Sequence, residues 1–152
     1  MSELTQETTF VLQRIYVKDV SFESPKSPEA FLKKWKPKVA LELNTSNVSV
    51  GKDDFEVTLG LTVTAKNEAE EVIYLIELQQ SGIFLIRGMV EEGLAQTLGS
   101  FCPNVLFPYA REAIDSIVTK GSFPPLMLAP VNFDAIYAQA RARSEAETAP
   151  IQ

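Results

Sequence analysis

The chain has 152 residues with 14 Lys+Arg, 20 Asp+Glu, one Cys and no His, long enough to bury a real core without a disulfide or metal staple. Without imidazoles, Ser-His, Cys-His and histidine-metal chemistry are excluded, and a net charge of -6 argues against a nucleic-acid binder, which carries a basic face. A single cysteine allows no internal disulfide and fits a reducing compartment.

The polar start, with Glu3 and Glu7, is unlike the basic and apolar opening of a secretory signal. The apolar run Ile83-Phe84-Leu85-Ile86 falls far short of the roughly 20 residues of a membrane span. These features lead us to expect a cytoplasmic chain with no membrane insertion. No internal repeat or low-complexity linker divides it, so we expect one domain over 10–140 between a disordered segment 1–9 and a mobile tail 141–152.

From Phe10 to Glu23 the sequence alternates with period two, the signature of a strand. Even positions carry Phe10, Leu12, Tyr16, Val20 and Phe22, and odd positions run from Val11, Ile15 and Val17 to Asp19, Ser21 and Glu23. Ser24-Pro25-Lys26-Ser27-Pro28 breaks it, and Ser27 with Pro28 predicts a capped helix over Glu29–Lys36, stopped by Pro37. A second strand is expected at Lys38–Thr45 and a turn over Asn44–Asp54. The third strand alternates most cleanly, with Phe55, Val57, Leu59, Leu61, Val63 and Ala65 on one face. A polar hairpin at Lys66–Glu70 leads to a fourth strand, about Val72–Ile86, with Tyr74, Ile76 and Leu78 opposite Leu75, Glu77 and Gln79. Short turns between four strands predict an antiparallel sheet.

The second half has helical spacing. Leu94, Ala95, Leu98, Phe101 and Cys102 predict a helix ending at Pro103; Ala110, Ala113, Ile114, Ile117 and Val118 predict another, stopped at Gly121. An apolar loop, Phe123-Pro124-Pro125-Leu126-Met127-Leu128-Ala129-Pro130-Val131, precedes a last helix capped by Asn132, with Phe133, Ile136, Tyr137 and Ala140 on one face. Strands followed by helices give an α+β fold, a four-stranded antiparallel sheet with helices packed on one face.

Chemistry is scarce. Cys102 lacks a histidine base and reads as a small buried hydrophobe. The glycines match neither nucleotide-binding motif, and paired carboxylates such as Glu70/Glu71 read as solvated. No catalytic residue, metal or cofactor is expected. Two features ask for an explanation. Val11, Ile15, Val17, Ile73 and Leu75 fall on the sheet face opposite the helices, which suggests an oligomeric or partner surface. The Phe/Pro/Leu/Met loop beside Phe22, Phe31 and Trp35 suggests an adaptable apolar groove.

Four ordered blocks resemble SecB, the bacterial export chaperone family. They are Gln13-Arg14-Ile15-Tyr16-Val17-Lys18-Asp19-Val20-Ser21-Phe22-Glu23, Gln79-Gln80-Ser81-Gly82-Ile83-Phe84, Cys102-Pro103-Asn104-Val105-Leu106-Phe107-Pro108-Tyr109-Ala110-Arg111-Glu112 and Leu128-Ala129-Pro130-Val131-Asn132-Phe133-Asp134-Ala135. The resemblance implies a cytosolic, ATP-independent holdase that keeps precursor proteins unfolded and delivers them to the SecA translocation ATPase. It implies a homotetramer, a dimer of dimers with helices between two eight-stranded sheets. The SecA-binding residues it implies are Asp19, Glu23, Leu75 and Glu77; the client groove would use Phe22, Phe31, Trp35, Phe123, Leu126 and Met127; the tetramer contact would involve Ile76, Leu78 and Gln80. A divergent turn at Asn44–Asp54 and an Ala/Arg/Glu-rich tail depart from the family. The alternatives are a SecB-like chaperone devoted to another client, such as a toxin-antitoxin pair, and a small-molecule carrier.

Overall fold

The computed structural model describes residues 7–148. Strands β1 (Thr9–Glu23), β2 (Lys38–Ser49), β3 (Asp54–Lys66) and β4 (Val72–Arg87) form one antiparallel sheet in the order β1-β4-β3-β2. Helices α1 (Glu91–Gln96), α2 (Cys102–Lys120) and α3 (Phe133–Thr148) follow. The core lies between α2 and the inner sheet face, where Val57, Leu59, Leu61, Val63, Tyr74, Ile76, Leu78 and Phe84 meet Leu106, Ala110, Ile114 and Val118. The α+β layout is as the sequence predicts.

Simple alternation fails in β1. Its pairing with β4 shifts between Leu12 and Arg14 and again between Val17 and Asp19, so Gln13 and Lys18 are extra residues. Each shift changes which parity faces the helices. Phe10 and Leu12, then Ile15 and Val17, then Val20 and Phe22 align with inward residues of β4. The expected outer placement of Ile15 and Val17 is therefore corrected: the first bulge turns them to the helix side. Val11 stays on the outer face with Leu85, and Leu75 with Glu23. Ile73 is buried, at the irregularity where the β3–β4 pairing shifts.

The helix expected over Glu29–Lys36 is corrected to a single 3-10 turn, Glu29–Leu32. Ser27 spends its hydroxyl on Ser24 rather than on a helix N–H, and by Lys33 the backbone is already extended. Strand β2 runs past Thr45 to Ser49, because Asn44–Ser49 pair with Phe55–Gly60 and Val50 N–H closes the hairpin on the Asp54 carbonyl at 2.9 Å. The divergent turn is thus only Val50–Asp53. At Gly60 a Cβ would lie 2.2 Å from Asn44 Oδ1, so glycine lets the β2 side chain cross the strand. Asn67 builds the β3–β4 turn by accepting the N–H groups of Ala69 and Glu71, both at 2.9 Å.

Pro103 does not end a helix. A π turn over Thr97–Phe101 joins α1 to α2, with Cys102 N–H reaching the Thr97 carbonyl. This wide turn lets the helix run through a proline that has no N–H to give. Asn132 caps α3 as expected, accepting Ala135 N–H at 3.0 Å, and α3 continues to Thr148 through part of the segment expected as a tail. Residues 1–6 and 149–152 of the expected termini lie outside the described residues. No helix among the described residues is long and apolar enough to cross a membrane.

Candidate functional site

Two surfaces collect the residues singled out in the sequence. The first is the outer face of the sheet. Register places Asp19 beside Gln79, Ser21 beside Glu77 and Glu23 beside Leu75, so all four expected docking residues share one face within two neighbouring strands. Pairing carries the row on from Glu77 to Thr62 in β3 and to Glu42 in β2. Glu42 lies on the face opposite Val39, Leu41 and Leu43 by strand alternation, but its place in this row follows only from the β2–β3 and β3–β4 registers. Asp19, Glu23, Glu42 and Glu77 are exposed, and none appears in the ion pairs among the described residues. Such a face offers unneutralised negative charge around Leu75, the kind of field that steers and orients an approaching cation.

The second surface is aromatic. Trp35 stacks on Tyr74 with ring centroids 6.1 Å apart and meets Phe123 at 5.1 Å; Phe31 reaches Phe123 at 5.2 Å, and Phe22 reaches Tyr74 at 6.1 Å. Tyr74 and Phe123, 5.0 Å apart, form the floor. Phe123 is 4% exposed, whereas Trp35 and Phe31 are 36% and 46% exposed, so the walls of this cluster face solvent while its base is core. Trp35 also lines a cavity of about 330 Å³ with Ile73, Pro37, Lys33, Lys34 and Lys66.

The 122–132 strap borders the cluster. Asp115 of α2 holds it, its Oδ1 accepting Leu126 N–H at 2.9 Å and Met127 N–H at 3.2 Å. Leu126 packs on the core, and Met127, with φ 50°, stands 77% exposed. The structure therefore brings together Phe22, Phe31, Trp35 and Phe123, and puts Leu126 and Met127 on the strap. Tyr74 is the part sequence reasoning missed; its inward parity was legible, but its place under Trp35 was not. The Tyr74 hydroxyl is buried with no hydrogen-bond partner among the described residues, and burial, with Asp115 nearby, pushes its pKa up to about 12.

The expected tetramer residues share the inner face of β4. Ile76 and Leu78 have 0% exposure beneath the helix layer of their own chain. Inward parity puts them under α2, and any effect on assembly must pass through it. Gln80 is 2% exposed and donates from Nε2 to the Tyr16 carbonyl at 3.1 Å. Cys102 is buried, and desolvation pushes its thiol up to about 12, which leaves no thiolate at neutral pH. Among the described residues no group of three or more Cys, Asp or Glu is arranged to hold a metal ion.

A family model described as preprotein translocase subunit SecB matches residues 3–144. The protein-export protein SecB of Stutzerimonas stutzeri is 59% identical over 144 residues, 95% of this chain and 87% of the relative. That of Marinobacter nauticus is 59% identical over 148 residues, 97% and 89% of the two chains. Among solved structures, a Mycobacterium tuberculosis SecB-like chaperone in complex with an antitoxin peptide superposes with a TM-score of 0.67 at 16% identity. That likeness covers 80% of this chain and 90% of that one and speaks for the fold.

Proposed function

This chain belongs to the SecB family, and on that premise we propose that it is a cytoplasmic, ATP-independent holdase that keeps precursor proteins unfolded for export and hands them to SecA. The carrying observation is the aromatic cluster of Phe22, Phe31, Trp35, Tyr74 and Phe123, open to solvent on one side and bordered by a Pro-rich strap that carries Met127. Unfolded segments present apolar side chains in no fixed order, and a surface of large rings beside a pliable methionine accepts many of them. Phe22, Phe31, Trp35, Phe123, Leu126 and Met127 make the client site in this reading. Asp19, Glu23, Leu75 and Glu77 receive SecA, and the sheet separates the two surfaces, so client and SecA can be held together.

The export reading is supported by relatives 59% identical over nearly the whole chain. Devotion to a toxin-antitoxin client would draw on a fold shared at 16% identity. A small-molecule carrier needs an enclosed apolar pocket, and the Trp35 cavity has lysines in its lining. The working unit is a homotetramer, a dimer of dimers. The test is a refolding assay: the purified chain, at stoichiometric amounts and without nucleotide, delays refolding of a denatured precursor, and Trp35→Ala shortens the delay. A precursor that refolds at its unassisted rate would overturn the reading.

A further inference from the structure

The acidic face depends on the second bulge of β1. Tyr16 pairs with Ser81 on the outer side, and regular alternation would then turn Lys18, Val20 and Phe22 outward and bury Asp19 and Glu23. The extra residue at Lys18 reverses this, so that Asp19, Ser21 and Glu23 stand beside Gln79, Glu77 and Leu75. A bulge in an edge strand leaves a residue unpaired in the ladder, and this one is held from both faces. On the outer face Glu56 of β3 accepts the Tyr16 hydroxyl through Oε2 and the Lys18 ammonium, at 2.8 Å, through Oε1. On the inner face the Gln80 amide reaches the Tyr16 carbonyl at 3.1 Å.

Glu56 pairs with Ile83 of β4, and its own strand lies one beyond β4 from β1. Its bonds therefore tie the edge strand to the sheet's interior across β4, where Ser81 stays low by bonding Thr58 at 2.8 Å. The Glu56 side chain is 15% exposed, and its charge is used within this network rather than offered to a partner. The Lys18 and Tyr16 hydrogen bonds hold its carboxyl below the usual range.

We propose that Glu56 is a positioning residue for the docking face: together with Gln80 it fixes the extra residue at Lys18, and so the phase that brings Asp19 and Glu23 to the side of Leu75 and Glu77. The proposal rests on that face being where SecA docks, and it adds the residues that build the face without touching the partner.

The experiment compares wild type, Glu56→Ala, Glu56→Gln and an Asp19→Ala/Glu77→Ala double variant as full chains, reading SecA affinity, precursor refolding delay and backbone amide exchange. In Glu56→Ala exchange quickens over 16–20 and not in the β2–β3 hairpin. SecA affinity falls about tenfold, the scale of losing one well-placed charged contact, while the precursor delay is kept. Glu56→Gln, which still accepts the Tyr16 hydroxyl, recovers most of the affinity. If Glu56→Ala does not fold, Tyr16→Phe removes one of the bonds in its place. Wild-type affinity in Glu56→Ala, with affinity lost in the double variant, overturns the positioning role and leaves the docking face standing. So does an equal loss of SecA binding and precursor delay, the mark of general destabilisation. Full affinity in the double variant overturns the docking reading itself, and the positioning role with it.

Discussion

Tyr74 shows how one side chain serves the core and the groove in opposite ways. Its ring joins Phe22, Trp35 and Phe123 into a continuous aromatic floor, and ring pairs at such distances add about 0.5–1.5 kcal/mol each beyond their buried area. Its hydroxyl, buried and unpartnered among the described residues, works against this, since an unsatisfied buried donor costs about 1–3 kcal/mol. Tyr74→Phe keeps the rings and removes the orphan, so its stability equals or exceeds wild type by up to about 1 kcal/mol, with the precursor delay unchanged. The denaturant midpoint at constant m-value reads this out. A drop of about 1 kcal/mol or more would mean that the hydroxyl has a partner in solution.

At the scale of elements, the contact between α3 and the π turn is packed tightly enough to be sensitive to one added methyl group. A Cβ at Gly99 would sit 2.6 Å from Cδ2 and 2.8 Å from Cε2 of Tyr137, well inside the roughly 3.5–4.0 Å of a relaxed carbon contact. Next to it Ser100 bonds Asp134, and Phe107 meets Phe133 edge-on at 5.9 Å. Beyond Tyr137 the helix is mostly exposed Ala, Arg and Glu, with little apolar area to hold it. Gly99→Ala, an overpacking change of about 1–3 kcal/mol, is therefore expected to lift α3 and speed amide exchange over 133–148 while the sheet stays protected. Unchanged protection there would show that Tyr137 can rotate away at no cost. The same elements show what a single sequence reveals. Strand β3 was legible because each of its positions obeys period two. β1 was legible as a strand but not in its facing, because Gln13 and Lys18 are ordinary strand residues and nothing local marks them as extra. The joined α1–α2 was hidden by Pro103, whose usual effect a π turn absorbs. The acidic face could be read one strand at a time, but its continuation to Glu42 required the register of three strands.

At the scale of the molecule, one chain leaves apolar surface that its own helices do not reach. Val17 and Val20 align with the helix side of β4, yet they remain 46% and 41% exposed because β1 is the edge strand and α2 lies over the sheet's centre. Phe101 and Tyr109 project from the helix layer in the same condition. A 15-residue edge strand whose outer ladder meets no other strand among the described residues, with valines beside it, is a template for pairing, and pairing with an identical strand about a twofold axis closes on itself. Two such dimers facing each other through their helices would cover the remaining rings, burying the standard interface of roughly 1,200–2,000 Å² or more. Light scattering at micromolar concentration should therefore give a mass near four times 16.8 kDa. Val17→Lys/Val20→Lys lowers that mass, because two charges would have to be buried in the contact, and Trp35→Ala leaves it unchanged, because Trp35 belongs to the groove. A wild-type monomer would contradict the argument from exposed surface, and a tetramer unaffected by lysines at 17 and 20 would move the contact away from the β1 edge.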